Sequence, residues 1–392
     1  MDPAESPHFS LVSGGLLFRL FRWSHLCGEM LELLPRRMLV VVCIAWLPLL
    51  VLSAFAGNAL GGALSVPFLY DIDAHARFLV ALPLLIAAEV VVHHEIWPSL
   101  RLFTERKIVV REDLPAFRSA LDSALRIRNS FIPEVVLLIL VYTAGHWLWR
   151  SQIALAGATW YANPQGAHLN LTLAGYWYAF LSIPIFQFVL VRWYLRLFIW
   201  FQLLWRISRL NLRLDAANPD RAGGLNFIGK VSYSFLLFLL AQGVLLAGVF
   251  GDRVVLQGMS FLAFKATALS VVVFWVLVLL APLMMFSPML YRAKDAGRTE
   301  YGSLANQYLA EFRRKWILGD HPAGEQLLGS GDIQSLADME NTYDAVRRMR
   351  IVPFGLMEIG VLAAVTVAPL LPFALTLFSV DQLVDHVFKI IF

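Results

Sequence analysis

The chain has 392 residues, of which 59% are hydrophobic and only 15% are charged, and its formal net charge is +4. An ordinary soluble domain carries about 25% charged residues, so this composition excludes a soluble globular fold and favours a chain embedded in lipid. With Cys27 and Cys43 as its only cysteines, the chain offers neither a disulfide framework nor a CxxC metal site.

Long apolar stretches predict the membrane helices, because about 20 apolar residues in a helix cross the hydrocarbon core. We predict six or seven spans, at about 38–57, 77–97, 131–149, 174–205, 233–250, 263–288 and 355–378. Pro369 and Pro372 leave open whether the last segment crosses the membrane or re-enters it as a hairpin. The predicted fold class is all-α, a polytopic membrane bundle with amphipathic cytosolic helices.

The stretches between the spans divide the chain into four regions. Residues 1–37 form a cytosolic N-terminal segment, with an amphipathic helix at 15–34 that suits the membrane surface. The transmembrane bundle occupies 38–290 and includes a basic helical segment at 98–130, where Asp113 is a predicted N-cap. A cytosolic helical insert follows at 291–352. Residues 353–392 form a Pro-broken membrane segment and an amphipathic tail at 381–392.

The basic residues indicate the orientation of the bundle. If the N-terminus is cytosolic, 25 of the 32 Lys and Arg residues fall in predicted cytosolic segments. The positive-inside rule therefore favours a cytosolic N-terminus. Because the basic residues follow membrane topology, we do not expect nucleic-acid binding.

The second span carries ionisable side chains inside an apolar helix. Glu89 lies near its middle, and His93 and His94 lie near its far end. Residues four apart share a helix face, so Glu89 and His93 are expected to project together. Such groups are costly at membrane depth unless they face water or protein, which makes the pair a candidate for a pore or transport pathway. The alternatives are a hydrogen-bonded pair that locks helix packing, and a metal site formed by Glu89, His93 and His94, although their spacing differs from HExxH.

Two arginines recur four residues apart late in the fourth apolar run. Arg196 is expected to extend to the cytosolic interface. Arg192 lies toward the same half of the membrane as Glu89, so we expect an ion pair, which would relieve two costly groups at once. Alternatively, Arg192 lines an anion path.

A Gly-rich loop at 218–225, NPDRAGGL, is the most distinctive loop of the chain. Backbone N–H groups at Gly223 and Gly224 could face an anion, with Asp220 and Arg221 beside them. The loop lacks the Lys-Ser/Thr of a P-loop and the spacing of GxGxxG. A tight structural turn packed against the 291–352 insert is the alternative.

The PDRAGGL loop, the segment SGDIQSLAD within 330–338 and the later VPF at 352–354 resemble a family of uncharacterised bacterial inner-membrane proteins. The similarity runs over most of the chain. It implies a bacterial cytoplasmic membrane, and it implies no activity, substrate or site assignment.

Three functions follow from these patterns. The first is a homo-oligomeric channel or transporter with the Glu89–His93 pair on its pathway. The second is a scaffold or accessory subunit that docks a cytosolic protein through the amphipathic helices. The third is an enzyme acting on a lipid phosphate at the 220–224 loop, which the missing GxSxG, HExxH and Walker motifs disfavour. The expected partners are membrane lipid and further copies of the chain, and no cofactor is expected.

Overall fold

The computed structural model describes residues 10–11, 33–61, 64, 66–148, 159–165, 168–256, 258–320, 322, 324–327 and 329–375. Residues 15–32 of the predicted surface helix and the predicted tail at 381–392 lie outside these ranges. Within them the chain is helical apart from one two-stranded hairpin and short connections.

The helices of the described residues follow one another with mostly short connections. They are α1 (Leu34–Phe55), α2 (Ile72–Glu105), α3 (Leu114–Asn129), α4 (Phe131–Gly145), α5 (Leu173–Ile207), α6 (Asn226–Leu256), α7 (Phe261–Ile317), α8 (Gly331–Arg348) and α9 (Leu356–Phe373). Between α4 and α5, strand β1 (Ala162–Gln165) pairs antiparallel with β2 (His168–Leu171).

Six of these helices, α1, α2, α5, α6, α7 and α9, are long and apolar enough to cross a membrane, and α4 is a shorter apolar helix. The protein is therefore an all-α, polytopic membrane protein, and the predicted fold class is confirmed. Over its described residues, each of the seven predicted apolar segments coincides with a helix. Helix α5 is 35 residues long, which at about 1.5 Å per residue exceeds the thickness of the hydrocarbon core.

Helix α2 runs between two different ends of the bundle. At its start, Val66 pairs with Thr159, next to the two strands; we call this the β-hairpin end. Past its last residue, Val109 pairs with Leu212. The second half of α7 and α8 pack together as an antiparallel pair near that region, and we call it the helical-hairpin end.

Helix α6 lies at the centre of the bundle, with two thirds of its apolar window buried. It packs against α2 and α9, and small residues permit the close approach. At Gly243, an added Cβ would lie 2.2 Å from the carbonyl oxygen of Thr366, so the two backbones leave no room for a side chain there.

Several local details differ from the expectations. Helix α2 begins at Ile72, five residues before the predicted span, and Asp71 caps it by accepting a hydrogen bond from Ala74 N. Asp113 occupies the N-cap position of α3, but its carboxylate instead accepts from Asn211 N at 2.6 Å. Around Pro282 the helix tightens into a 3-10 turn and then continues, so α7 passes without a break through the predicted boundary at 290–291.

Candidate functional site

Five ionisable side chains converge inside the bundle, and we call them the central ionic cluster. They come from four helices: Arg37 of α1, Glu89 of α2, Glu134 of α4, and Arg192 and Arg196 of α5. None is more than 6% exposed. Charged groups so deeply buried are stable only when they are paired and hydrogen-bonded, so their mutual contacts define the site.

Glu89 is the centre of this cluster. Its Oε2 accepts a hydrogen bond from Arg37 Nη2 at 2.7 Å, and its Oε1 accepts one from Arg196 Nη2 at 2.6 Å. These charge-assisted bonds join α1, α2 and α5 at one carboxylate. Arg196, which we expected at the interface, is 3% exposed, so the prediction that it extends to the interface is wrong.

The predicted pair of Glu89 and Arg192 is present, but it is long. Arg192 Nη1 lies 3.9 Å from Glu89 Oε1, and Arg192 Nε lies 3.4 Å from Glu134 Oε1. One guanidinium thus stands between two carboxylates that belong to different helices.

Aromatic and main-chain groups hold the arginines in place. The Arg196 guanidinium lies 4.9 Å from the centre of the Trp193 ring, in a cation–π contact. Trp193 in turn donates from Nε1 to the carbonyl of Leu85 at 3.0 Å, and Arg37 Nη2 donates to Ile86 O at 3.3 Å. These bonds fix the arginines relative to the backbone of α2, one turn before Glu89.

His93 has a different partner from Glu89, although both lie on α2. Its Nδ1 is 2.6 Å from Oγ of Ser10, which is 2% exposed. Leu11 is buried in the same core, and Arg128 of α3 donates to the carbonyl oxygen of Ser10. Burial lowers the pKa of Arg128 to about 10. A piece of the N-terminal segment is therefore seated against α2 and α3 beside His93, while His94 is exposed.

The metal hypothesis for Glu89, His93 and His94 gains no support from the geometry. Among the described residues, no group of three His, Cys, Asp or Glu side chains is placed so that it could hold a metal ion.

In the loop at 218–225, Gly224 N, one of the two backbone donors expected to face an anion, is bonded to a side chain of the same loop. The Asp220 carboxylate accepts hydrogen bonds from Ala222 N at 2.8 Å, Gly224 N at 3.1 Å and Asn226 N at 3.0 Å. Arg221 and both glycines have positive φ values, as such a turn requires. The side chain of Asp220 thus stands where an external phosphate would bind.

The same loop also packs against the end of the helical insert. An added Cβ at Gly223 would lie 2.9 Å from Met349 Cε, and Arg350 N donates to Arg221 O at 2.7 Å. Arg350 also donates to the side chain of Asn226 at 2.8 Å. These contacts agree with the structural-turn alternative.

Sequence reasoning missed three members of the central ionic cluster. Arg37 was assigned to the segment before the first span, Glu134 was given no role, and Arg196 was placed at the interface. All three lie in apolar helices, and a charge within such a helix was the available signal. Their common partner could not be found, because it depends on how four helices pack.

No protein-family model, no curated protein and no solved structure matches the chain. The functional argument therefore rests on the chemistry of the described residues.

Proposed function

We propose that this membrane protein is a channel or transporter, and that the central ionic cluster lies on its solute route. The observation that carries the proposal is the convergence of Arg37, Glu89, Glu134, Arg192 and Arg196 from four helices within an apolar bundle. Ionisable residues inside membrane helices are rare, and they commonly mark the paths of ions or substrates.

Helix packing alone does not explain why the bundle contains such a cluster of charges. A buried ion pair is often no more stable than well-packed apolar side chains of similar volume, because desolvation offsets the Coulomb attraction. Helices in lipid can also associate through small residues, as α6 and α9 do at Gly243. A set of five charges is therefore better explained by a functional requirement.

The arrangement contains groups that can interact with a passing solute. Nη1 of Arg196 is buried and has no hydrogen-bond partner among the described residues. Arg192 lies 3.9 Å from Glu89 and 3.4 Å from Glu134, and we propose that a shift of α4 or α5 exchanges the carboxylate that it favours. Two discrete arrangements of one charge are what a gate or an alternating-access step needs.

We assign a specific role on the proposed route to Glu89 and to Arg192. Glu89 binds two arginines closely, so we propose that it acts as a fixed charge that orients them. Arg192 is the proposed moving charge. His93, bonded to Ser10, is proposed to mark the point where the N-terminal segment meets the route.

A second candidate function is docking of a cytosolic protein, which one observation favours. The paired helices α7 and α8 expose apolar side chains at the helical-hairpin end, among them Leu304, Leu309 and Ile333. A partner seated on this pair would cover them. Recovery of a stoichiometric second protein with the purified chain, lost when Leu309 is changed to Glu, would favour docking.

We also propose that the protein resides in a bacterial cytoplasmic membrane, as a homo-oligomer, with its N-terminus and its helical-hairpin end in the cytosol. The distribution of basic residues supports this orientation.

Reconstitution into liposomes tests the transport proposal. Flux of ions and small solutes is measured under imposed gradients for the wild type and for Glu89→Gln, with Glu105→Gln as the control. Glu105 lies on the same helix in an exposed pair with Arg101. The proposal expects flux in the wild type and the control, and altered rate or selectivity in Glu89→Gln. No flux under any gradient would overturn it.

A further inference from the structure

Three aspartates converge at the β-hairpin end of the bundle, about 24 Å along α2 from Glu89 at 1.5 Å per residue. Asp71 and Asp73 flank Ile72, the first residue of α2, and Asp252 lies near the end of α6. The main-chain N–H of Ile72 donates to Asp252 Oδ1 at 2.9 Å. The carboxylate of Asp252 therefore sits at the residue that separates the other two aspartates.

All three carboxyl groups are buried. Asp71 is 4% exposed, Asp73 is 9% exposed and Asp252 is 8% exposed. Among the described residues, Arg77 is the cation that contacts the group: it forms an ion pair with Asp73 and donates to the hydroxyl of Tyr178 at 3.1 Å. Three ionised carboxylates beside one guanidinium repel one another strongly in a medium of low dielectric constant.

The hydrogen bonds distinguish the three groups. Asp71 accepts from Ala74 N at 2.7 Å and from Trp160 Nε1 at 2.8 Å. Asp73 has the charge of Arg77 beside it. Asp252 accepts from two uncharged main-chain amides, those of Ile72 and Asp73. Among the described residues it therefore has neither the guanidinium that Asp73 has nor a side-chain donor such as Asp71 has.

One oxygen atom lacks a donor. Oδ1 of Asp73 is buried and has no hydrogen-bond partner among the described residues. It faces α6, because an added Cβ at Gly248 would lie 3.3 Å from it. Gly248 and Asp252 are four residues apart and share one face of α6. The unsatisfied acceptor therefore faces the side of α6 that carries Asp252.

We propose that Asp73 and Asp252 bind a proton together, and that this proton exchanges with the water at the β-hairpin end. A proton on Asp252 removes one buried negative charge and supplies the O–H donor that Asp73 Oδ1 lacks. Two carboxyl groups that share a site commonly hold a proton in this way. A metal ion fits this site less well than a proton does. Among the described residues, no group of three His, Cys, Asp or Glu side chains is placed so that it could hold a metal ion.

The other ionisable groups nearby have partners of their own. His75, on the same turn of α2, accepts through Nδ1 from Trp46 Nε1 at 3.0 Å. Arg253 lies over the ring of Phe264, 5.7 Å from its centre. The hydroxyl of Tyr178 is bonded to Arg77. None of these contacts places a second cation against Asp252.

This proton site deepens the proposed transport function and rests on it for its consequence. Asp252 joins α6 to the first turn of α2, and α2 also carries Glu89 of the central ionic cluster. Gain or loss of the proton changes the junction between the two helices. We therefore expect flux to depend on pH at the β-hairpin end.

Infrared spectroscopy of the full-length protein in lipid nanodiscs tests the proton directly, without any transport measurement. The wild type at neutral pH should show a carbonyl band of a protonated carboxyl that shifts in heavy water and disappears at alkaline pH. Asp252→Asn should remove this band. Asp73→Asn is the second variant, in case the first does not fold, and it should remove or displace the band. Asp122→Asn, at an exposed position of α3, should leave it unchanged.

Absence of a pH-sensitive carboxyl band from the wild type, or its persistence in both variants, would overturn the proton site. Liposome flux gives a separate result. If the band is present and the wild type passes no solute, the transport proposal fails and the proton site stands. If flux occurs and its rate is the same at all pH values at the β-hairpin end, the link between proton and transport is overturned.

Discussion

Glu89 and Arg196 are 107 positions apart in the sequence, and their side chains meet at 2.6 Å in the interior of the bundle. Arg37 binds the other oxygen of the same carboxylate at 2.7 Å. A single acidic residue thus connects three membrane helices whose order in the chain gives no hint of the contact. This connection is the basis of the functional argument, and its strength can be measured.

Loss of the Glu89 charge should destabilise the protein strongly. Glu89→Gln keeps the shape of the side chain but leaves Arg37 and Arg196 buried without their anion, and breaking a buried pair costs about 3–5 kcal/mol. Thermal unfolding in detergent should show a much lower midpoint. Glu105→Gln removes an exposed pair, half open to solvent, so its effect should stay below about 1 kcal/mol. Equal shifts in the two variants would contradict the central role of Glu89.

Charge reversal at positions 89 and 192 should not restore stability. In the double variant Glu89→Arg/Arg192→Glu, the new arginine would face Arg37 and Arg196, which are the close partners of Glu89. We expect the double variant to be no more stable than Glu89→Arg alone. Unfolding midpoints of both single variants and the double variant provide the test. Recovery to the wild-type midpoint would mean that Arg192 is the main partner.

Asp220 should stabilise its loop by accepting from three main-chain amides. Asp220→Ala leaves those donors unsatisfied, and an unmade bond to a buried donor costs about 1–3 kcal/mol. Hydrogen exchange at 218–226 should accelerate. Asp215→Ala, which removes the acceptor for Ala217 N alone, is the control and should have a smaller effect. Unchanged exchange in Asp220→Ala, together with binding of inorganic phosphate by the wild type, would favour an anion site instead.

The contact between the end of α7 and the start of α8 should open in acid. Lys315 and Trp316 donate to Asp332 at 2.8 and 2.9 Å, and these bonds lower the pKa of its carboxyl from the ordinary value of 3.8. A lowered folded-state pKa contributes stability above the unfolded value, and this stability is lost as the pH falls through the folded value. Exchange at 331–335, corrected for its intrinsic pH dependence, should therefore rise only below about pH 4. Asp332→Asn should exchange faster already at neutral pH; the same profile for both proteins would refute the contact.

The sequence predicted the membrane helices well because crossing the hydrocarbon core requires about 20 consecutive, mostly apolar residues. It gave no hint that Asp71 and Ile72 are bonded to Trp160 and Asp252, because these partners lie 89 and 180 positions away in the chain. Arg196 was placed at the interface because a long side chain near a helix end commonly extends there. These errors concern contacts that only the packing of distant helices determines.

The Gly-rich loop at 218–225 shows a different limit of prediction from the sequence. The pattern at 218–225 indicated that backbone N–H groups of this loop could face an anion, and three main-chain amides there do donate to a carboxylate. The pattern does not say whether the anion they bind is an external phosphate or the carboxylate of Asp220, because both present the same oxygen atoms to the same donors.

Solute flux through liposomes containing Arg192 variants tests the central claim most directly. Arg192 should act on transport through its charge, which stands between Glu89 and Glu134. At equal incorporation, with unfolding midpoints measured beside the flux, the wild type should pass ions or small solutes, Arg192→Gln should change the rate or selectivity several-fold, and Arg192→Lys should retain most of the wild-type behaviour. A wild type that passes nothing under any gradient, or an Arg192→Gln variant with unaltered flux, would contradict the account.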